Sequence, residues 1–343
     1  LLDAVAQGAA SDTLATELSR VIPAIREPHE AAAHLARLAR RAGAPLGSVT
    51  RERSPALGRD LLGAVRGAAN PDAALASLAD FFARVGDPTP YEHLLLDEPR
   101  LTRRLVMLFG ASGTLSSTLI GHPEDIDALL THACPPPQEV WEAHAKPMDD
   151  PPSEPEALVS ELRRIKRDVT LRVGLAYVSG ETSLEQATAS LSALAEAQVR
   201  ASFAAAWRWA TSRWGEVGAA MVVCAMGKLG GGELGFAGDL DLVFFYERDG
   251  ETASGTTYAE VFTRIAQRTM SLLRQPDAEG PGYETDTRLR PSGSKGTLVV
   301  SLDAFDAYHR RGAAAWERQA LIRARPIAGD AALATSVAAR TEH

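Results

Sequence analysis

Met221-Val222-Val223-Cys224-Ala225-Met226 runs directly into Gly227-Lys228-Leu229-Gly230-Gly231-Gly232-Glu233-Leu234, and shortly afterwards into Asp239-Leu240-Asp241-Leu242-Val243-Phe244-Phe245-Tyr246. A short continuous apolar run, a glycine-rich turn and a second apolar run headed by Asp-x-Asp read as strand, turn, strand. Residues two apart on a strand share a face, so Asp239 and Asp241 are expected to point together while Leu240 and Leu242 pack opposite. Two adjacent carboxylates repel one another, and both stay ionised only beside a cation. Mg²⁺ suits that demand, because it takes oxygen ligands and is often held by one or two carboxylates plus substrate phosphates. A bare Asp-x-Asp is usually no more than a solvated edge. Here the strand behind it is strongly apolar, where ionised groups are costly without a function.

The glycines between the strands leave no Cβ in the way and let backbone N–H groups approach a phosphate. The turn is not a Walker A loop, since no Ser or Thr follows the Gly-Lys pair, and it does not fit G-x-G-x-x-G. A third element is Tyr283-Glu284-Thr285-Asp286-Thr287-Arg288-Leu289-Arg290-Pro291. Read as a strand over 283–289, it places Asp286, Arg288 and Arg290 on one face. One carboxylate and two guanidiniums there suit a metal and a triphosphate together. In isolation the same residues would be a surface ion-pair ladder.

Upstream of residue 133 the chain reads as helix almost throughout, with no strand-like alternation. Ala31-Ala32-Ala33-His34-Leu35-Ala36-Arg37-Leu38-Ala39-Arg40-Arg41 is built of good helix formers and followed by Gly43 as a stop. Asn70-Pro71-Asp72 opens another helix with Leu75, Leu78, Phe81 and Phe82 on its apolar face. Leu101, Leu105 and Leu108 form a further stripe closed by Gly110. The prolines of residues 135–155 break this pattern and mark the domain boundary. Ser153-x-x-Glu156 and Ser183-x-x-Gln186 then read as capping boxes for two helices, the second extending towards Trp209. A helix is expected over 258–273, a fourth strand or hairpin return over 296–301, and helix again over 305–321. Helices plus a small mixed sheet make the later part α+β or α/β, of which α+β is taken as the fold class, with residues 1–150 a helical domain and residues 151–343 a second domain. In the latter, helices over 153–210 lead into a core at about 216–330 with a small mixed sheet flanked by helices.

The 343 residues are 45% hydrophobic and 23% charged, enough for a sizeable core. A net charge of -8 disfavours a protein that grips nucleic-acid backbone, although a single nucleotide needs only a local site. Two cysteines, Cys134 and Cys224, permit neither a disulfide framework nor a four-cysteine zinc site, and a reducing cytoplasm is the natural compartment. No apolar run is long enough to cross a bilayer. The start at Leu1-Leu2-Asp3 reads as an excised piece of a longer chain. His132, Cys134 and His144 match no zinc spacing. Trp207, Trp209 and Trp214 read as packing, and the basic run 162–167 as a solvated helix face rather than a nucleic-acid patch.

Taken together, MGKLGGGELGFAGDLDLVFFYE (226–247), YETDTRLRPSGSKGTLVVS (283–301) and WERQALIRARPIAGD (316–330) resemble the nucleotidyltransferase domains of bacterial glutamine-synthetase adenylyltransferase, a bifunctional adenylylating and adenylyl-removing family. The likeness continues upstream through LRRIKRDVTLRVGLA (162–176) and LSALAEAQV (191–199). It is weaker through YEHLLLDEPRL (91–101), FGAS (109–112) and HPEDIDALL (122–130). The resemblance implies a polymerase-beta-like nucleotidyltransferase domain after a helical linker, and RLRPSG with WERQAL is more like the later, adenylylating domain. On that resemblance the chain is expected to stop before the helical bundle that would follow.

By that resemblance Asp239, Asp241 and Asp286 would be the catalytic carboxylates and the Mg²⁺ ligands. Gly227, Lys228, Gly230 and Gly231 would hold the ATP phosphates, with Arg288 and Arg290 offsetting further charge. The implied reaction moves AMP from ATP to a tyrosine hydroxyl of glutamine synthetase and releases pyrophosphate, regulating nitrogen assimilation. Glutamine and the PII signalling protein would be effectors of the full-length protein, and neither nucleic acid nor membrane would be a partner. The adenylyl-removing, phosphorolytic domain of the same family and a non-catalytic regulatory nucleotide-binding module are the competing readings. Gly238 and Gly232 depart from the pattern, standing where the family often has Ser and Arg.

Overall fold

Asn70 accepts a hydrogen bond from the Ala73 N–H at 3.2 Å and starts the helix Pro71–Arg84, whose Leu75, Leu78, Phe81 and Phe82 are all buried. The spacing of those apolar residues makes one inward face. The structure, a computed structural model, describes residues 1–130, 134–311 and 313–341. Two compact units divide it: Leu1–Cys134 with Leu171–Ser183, and Pro135–Thr170 with Leu184–His343. Residues 135–150 thus fold with the second unit, and 171–183 with the first. Among the described residues no helix is long and apolar enough to cross a membrane.

Among the described residues the first unit has only helices as regular elements, with a short 3₁₀ stretch at Pro123–Leu130. Gly110 does not end the Leu101 stripe; it lies inside the helix Pro99–Ala111. A Cβ on Gly110 would come 2.9 Å from Ala68 Cβ and 3.2 Å from the Asn70 carbonyl, so the glycine is there for close packing. Glu92 is fully buried in this unit and paired with Arg53 at 2.7 Å, and both its carboxylate oxygens accept from the Thr50 hydroxyl.

The second unit is α+β. Its mixed sheet comprises β1 (Met221–Ala225), β2 (Leu240–Tyr246), β3 (Thr285–Asp286), β4 (Val299–Ser301) and β5 (Arg325–Gly329). The strand order is β3-β2-β1-β5, with β4 also pairing to β2. β1 runs antiparallel to β2 and β5, while β2 runs parallel to β3 and β4. On one face Leu240, Leu242, Phe244 and Tyr246 pack with Val199, Phe203, Phe262 and Ile265 from the helices Leu184–Trp214 and Tyr258–Arg274. On the other, Val243 and Phe245 meet Phe305, Leu333 and Val337. The period of two in β2 thus places Asp241 on the second face.

Several elements differ from the sequence expectation. Residues 135–155 contain the helix Pro137–Asp149, because Pro137 at its first position gives up an N–H that has no helical partner. The next helix starts at Pro155 rather than after Ser153. The stretch 283–289 contributes only two residues of strand, and 299–301 is a parallel strand rather than a hairpin return. Residues 305–321 are two helices, Leu302–Arg310 and Ala315–Leu321, and β5 was unforeseen. Trp207 packs on Phe203 and Phe262, and Trp209 on Trp214. His144 is fully buried, with Nδ1 2.8 Å from the Val140 carbonyl, whereas His132 lies outside the described residues.

Candidate active site

The antiparallel pairing of β1 with β2 matches Ala225 to Leu242, so the turn after β1 returns beside the start of β2. Met226 N–H donates to the Asp241 carbonyl at 2.8 Å and extends the ladder to the edge of that turn. Parallel pairing on the other side places Thr285 against Leu240 and Asp286 against Asp241. Three carboxylates therefore meet at one end of the sheet. Ligand atoms of Asp239, Asp241 and Asp286 all lie within 4.8 Å of one another, the one such acidic group among the described residues.

The three groups are not equivalent. Burial, and then the negative charges of Asp239 and Asp286, push the Asp241 carboxyl above its ordinary range. Asp286 moves the opposite way, because the Arg288 side chain bonds its charged form. Arg288 Nε donates to Oδ2 at 2.7 Å and the Arg288 backbone N–H to Oδ1 at 2.7 Å. Asp239 is exposed, just before β2 begins. An all-oxygen donor set whose most buried member is destabilised by its like-charged neighbours fits a hard divalent cation such as Mg²⁺.

Gly227 is required by that cluster. Its φ is +54°, in the left-handed region, and a Cβ there would lie 2.2 Å from Asp241 Oδ2. Lys228, exposed on the same turn, brings positive charge that draws the Asp241 carboxyl partly back down. The other glycines shape the same turn. The N–H groups of Gly230, Gly231 and Gly232 donate to the carbonyls of Met226, Gly227 and Leu229, closing one helical turn over Gly227–Gly230. Gly230 is needed for packing: its Cβ would sit 1.9 Å from the Arg323 carbonyl.

Arg290 also departs from expectation. With β3 only two residues long, the chain curls after Asp286 and the shared strand face ends there. Arg290 then donates to the Thr287 carbonyl at 2.6 Å, the Thr287 hydroxyl at 2.9 Å and the Thr297 carbonyl at 3.0 Å, bracing the 287–297 loop. Gly238 has Leu234 against it: a Cβ would come 2.6 Å from Leu234 Cδ1.

Two further contributors were missed from sequence. Arg325 on β5 donates to the Gly230 carbonyl at 3.0 Å and the Leu229 carbonyl at 3.0 Å, and pairs with Glu196. Arg323 reaches Glu233 at 3.0 Å. The segment that follows Leu321 thus holds the glycine turn down from outside, and the only sequence signal was its membership of the third motif. Cys224, beneath the turn, is chemically quiet: burial pushes its thiol up to about 12.

The family model for glutamate-ammonia ligase adenylyltransferase matches residues 102–340. The chain is 38% identical over 281 residues to the bifunctional glutamine synthetase adenylyltransferase/adenylyl-removing enzyme of Xanthomonas campestris pv. campestris, covering 80% of this chain and 30% of that protein. It is 34% identical over 327 residues to the same-named protein of Thioalkalivibrio sulfidiphilus, covering 87% and 33%. A similarly named protein of Pasteurella multocida is 34% identical over 263 residues, 72% of this chain and 27% of that one. The chain thus spans about a third of the length of these relatives. On this match, and on the convergence of all three motifs at one end of the sheet, the chain belongs to the glutamate-ammonia ligase adenylyltransferase family.

Proposed function

We propose that the second unit is a nucleotidyltransferase that moves AMP from ATP to a tyrosine hydroxyl of glutamine synthetase, releasing pyrophosphate. The observation that carries this reading is the meeting of Asp239, Asp241 and Asp286 beside the Gly227–Gly230 turn. Asp239, Asp241 and Asp286 would hold Mg²⁺, which when bound supplies charge for the departing pyrophosphate and favours the deprotonated acceptor hydroxyl. Lys228 and Arg288 are the exposed cations at the site, placed to attract the polyphosphate and offset its charge. Gly227 keeps the turn close to Asp241 while leaving that carboxylate room. Asp286, bonded to Arg288, is held in the ionised form that a cation needs, and the same bonds make it a weak proton acceptor. Arg290 braces the 287–297 loop and Arg325 the glycine turn, and Gly230, Gly231 and Arg290 would be further phosphate-binding residues, as the resemblance implies. In the full-length protein the activity would answer to glutamine and the PII protein, in the cytoplasm.

The test is transfer of label from α-labelled ATP to glutamine synthetase with Mg²⁺, beside Asp239→Asn/Asp241→Asn. Labelled synthetase that disappears in the double variant supports the reading. Release of ADP from adenylylated synthetase and phosphate, with no forward transfer, would replace it with the adenylyl-removing reaction. ATP binding with transfer in neither direction would replace it with a non-catalytic regulatory nucleotide-binding module.

A further inference from the structure

The basic run in the helix Pro155–Val178 is not a solvated face. Arg163 is 1% exposed, and its guanidinium is spent on main-chain carbonyls: Nη2 donates to Leu272 at 2.6 Å and Leu273 at 2.8 Å, and Nε to Gln275 at 3.0 Å. Nη1 donates to Gln198 Oε1 at 3.2 Å, and Gln198 is itself fixed through Nε2 to the Leu162 carbonyl at 2.6 Å. Lys166, one turn on, donates to the carbonyls of Pro281 at 3.1 Å and Gly282 at 2.7 Å, and lies 4.0 Å from the centroid of the Tyr283 ring. Ser160 Oγ donates to Asp277 at 2.6 Å, and Arg167 to Glu279 Oε2 at 2.6 Å. Spacings of three and four put Ser160, Arg163, Lys166 and Arg167 on one helix face. That face grips a single connector, the chain between the end of the helix Tyr258–Arg274 and Tyr283.

What the connector delivers is Asp286. Tyr283 N–H donates to the Leu273 carbonyl at 2.8 Å, Leu240 N–H donates to the Glu284 carbonyl at 2.9 Å, and β3 follows at once. β3 has only two residues of its own ladder to place a carboxylate, so its position is set mainly by what precedes it. Burying a guanidinium among neutral acceptors is costly, and an apolar residue would fill the space more cheaply. The arginine and lysine instead satisfy carbonyls that the end of the helix and an irregular connector leave without helical partners.

We propose that Arg163 and Lys166 are positioning residues for Asp286: through the carbonyls of 272, 273, 275, 281 and 282 they hold the connector that places the third carboxylate beside Asp239 and Asp241. This rests on reading those three carboxylates as a divalent-cation site. Arg163 and Lys166 touch no reacting group.

The experiment is a double-mutant cycle on the full chain with Mn²⁺ alone, free ion being counted by electron paramagnetic resonance. Lys166→Met is expected to weaken Mn²⁺ binding by about tenfold, the range for outer residues that orient metal ligands. Lys166→Arg, which keeps donors at that place, should return affinity to within about twofold of wild type. In an Asp286→Asn background, Lys166→Met should cost no more than about a further twofold, because the group it positions has gone. Equal losses in both backgrounds, or no loss in the wild-type background with the fold intact by circular dichroism, overturn the proposal. Should Lys166→Met not fold, Ser160→Ala releases the connector at Asp277 and must show coupling of the same sign to Asp286→Asn. A chain with this coupling that transfers no AMP keeps the proposal and loses the adenylyltransferase reading. A wild-type chain that binds no Mn²⁺ loses both.

Discussion

The position a Cβ would take on Gly227 is 2.2 Å from Asp241 Oδ2, so the glycine turn and the central carboxylate occupy mutually exclusive space unless residue 227 is glycine. Gly227→Ala must therefore both strain a φ of +54° and displace Asp241. The expected result is a fall in AMP transfer of about 10²-fold, the usual cost of moving a reacting group by an ångström or so. Thermal stability should fall by about 1–2 kcal/mol for an alanine held at positive φ, with the displacement of Asp241 adding to it. Equal kcat/KM values for variant and wild type would contradict this.

Asp241→Asn should separate stability from activity. The Asp241 carboxyl is raised by burial and by two like charges, so the folded chain binds a proton there that the unfolded chain has released. The metal-free protein accordingly loses stability as pH rises from the ordinary aspartate range through the raised value. Asparagine removes that loss, and the melting temperature without Mg²⁺ at pH 7.5 should rise by about 2–4 °C. Transfer should disappear in the same variant. A lower melting temperature would mean that the like-charge repulsion is already relieved.

Arg325→Met tests the brace on the turn. It strips donors from the Leu229 and Gly230 carbonyls and leaves Glu196 without its cation. Denaturant unfolding should show a loss of about 2 kcal/mol. Adding Glu196→Leu should recover part of it, since the stranded charge is then gone; no recovery would show that the carbonyl contacts dominate.

In the helical unit the Arg53–Glu92 pair makes a pH-dependent prediction. Burial raises the Glu92 carboxyl, with Thr50 and Arg53 pulling it down. Arg53→Met removes the cation and raises it further, so the folded variant holds a proton that its unfolded chain releases. Its stability should then decline as pH rises above the ordinary glutamate range. At pH 4 the deficit against wild type should be small, and at pH 7.5 about 3 kcal/mol. Parallel urea titrations at the two pH values decide it.

Much was legible in the sequence where the signal is local. A five-residue apolar run, a turn of glycines and Asp-x-Asp specify strand, bend and paired carboxylates through steric and periodic rules that operate within a few residues. Asp286 was legible as a carboxylate beside two arginines, but the strand drawn around it was too long: the ladder partner of β3 is supplied by β2, and it ends after Asp286. For that reason Arg288 folds back onto Asp286, and Arg290 turns to the 287–297 loop.

By itself, then, the sequence determined the helical first half, the β1–turn–β2 unit and the three carboxylates, because each follows from short-range periodicity or from residue chemistry. Tertiary structure alone decided that the basic face of Arg163 and Lys166 is buried against the 275–282 connector, that Gly230 makes room for the Arg323 carbonyl and that Arg325 crosses from β5 to the turn. Those partners lie about a hundred residues apart in the chain. No local period specifies which distant carbonyl a cation will meet; that is settled when the two helices and the sheet close on a common core.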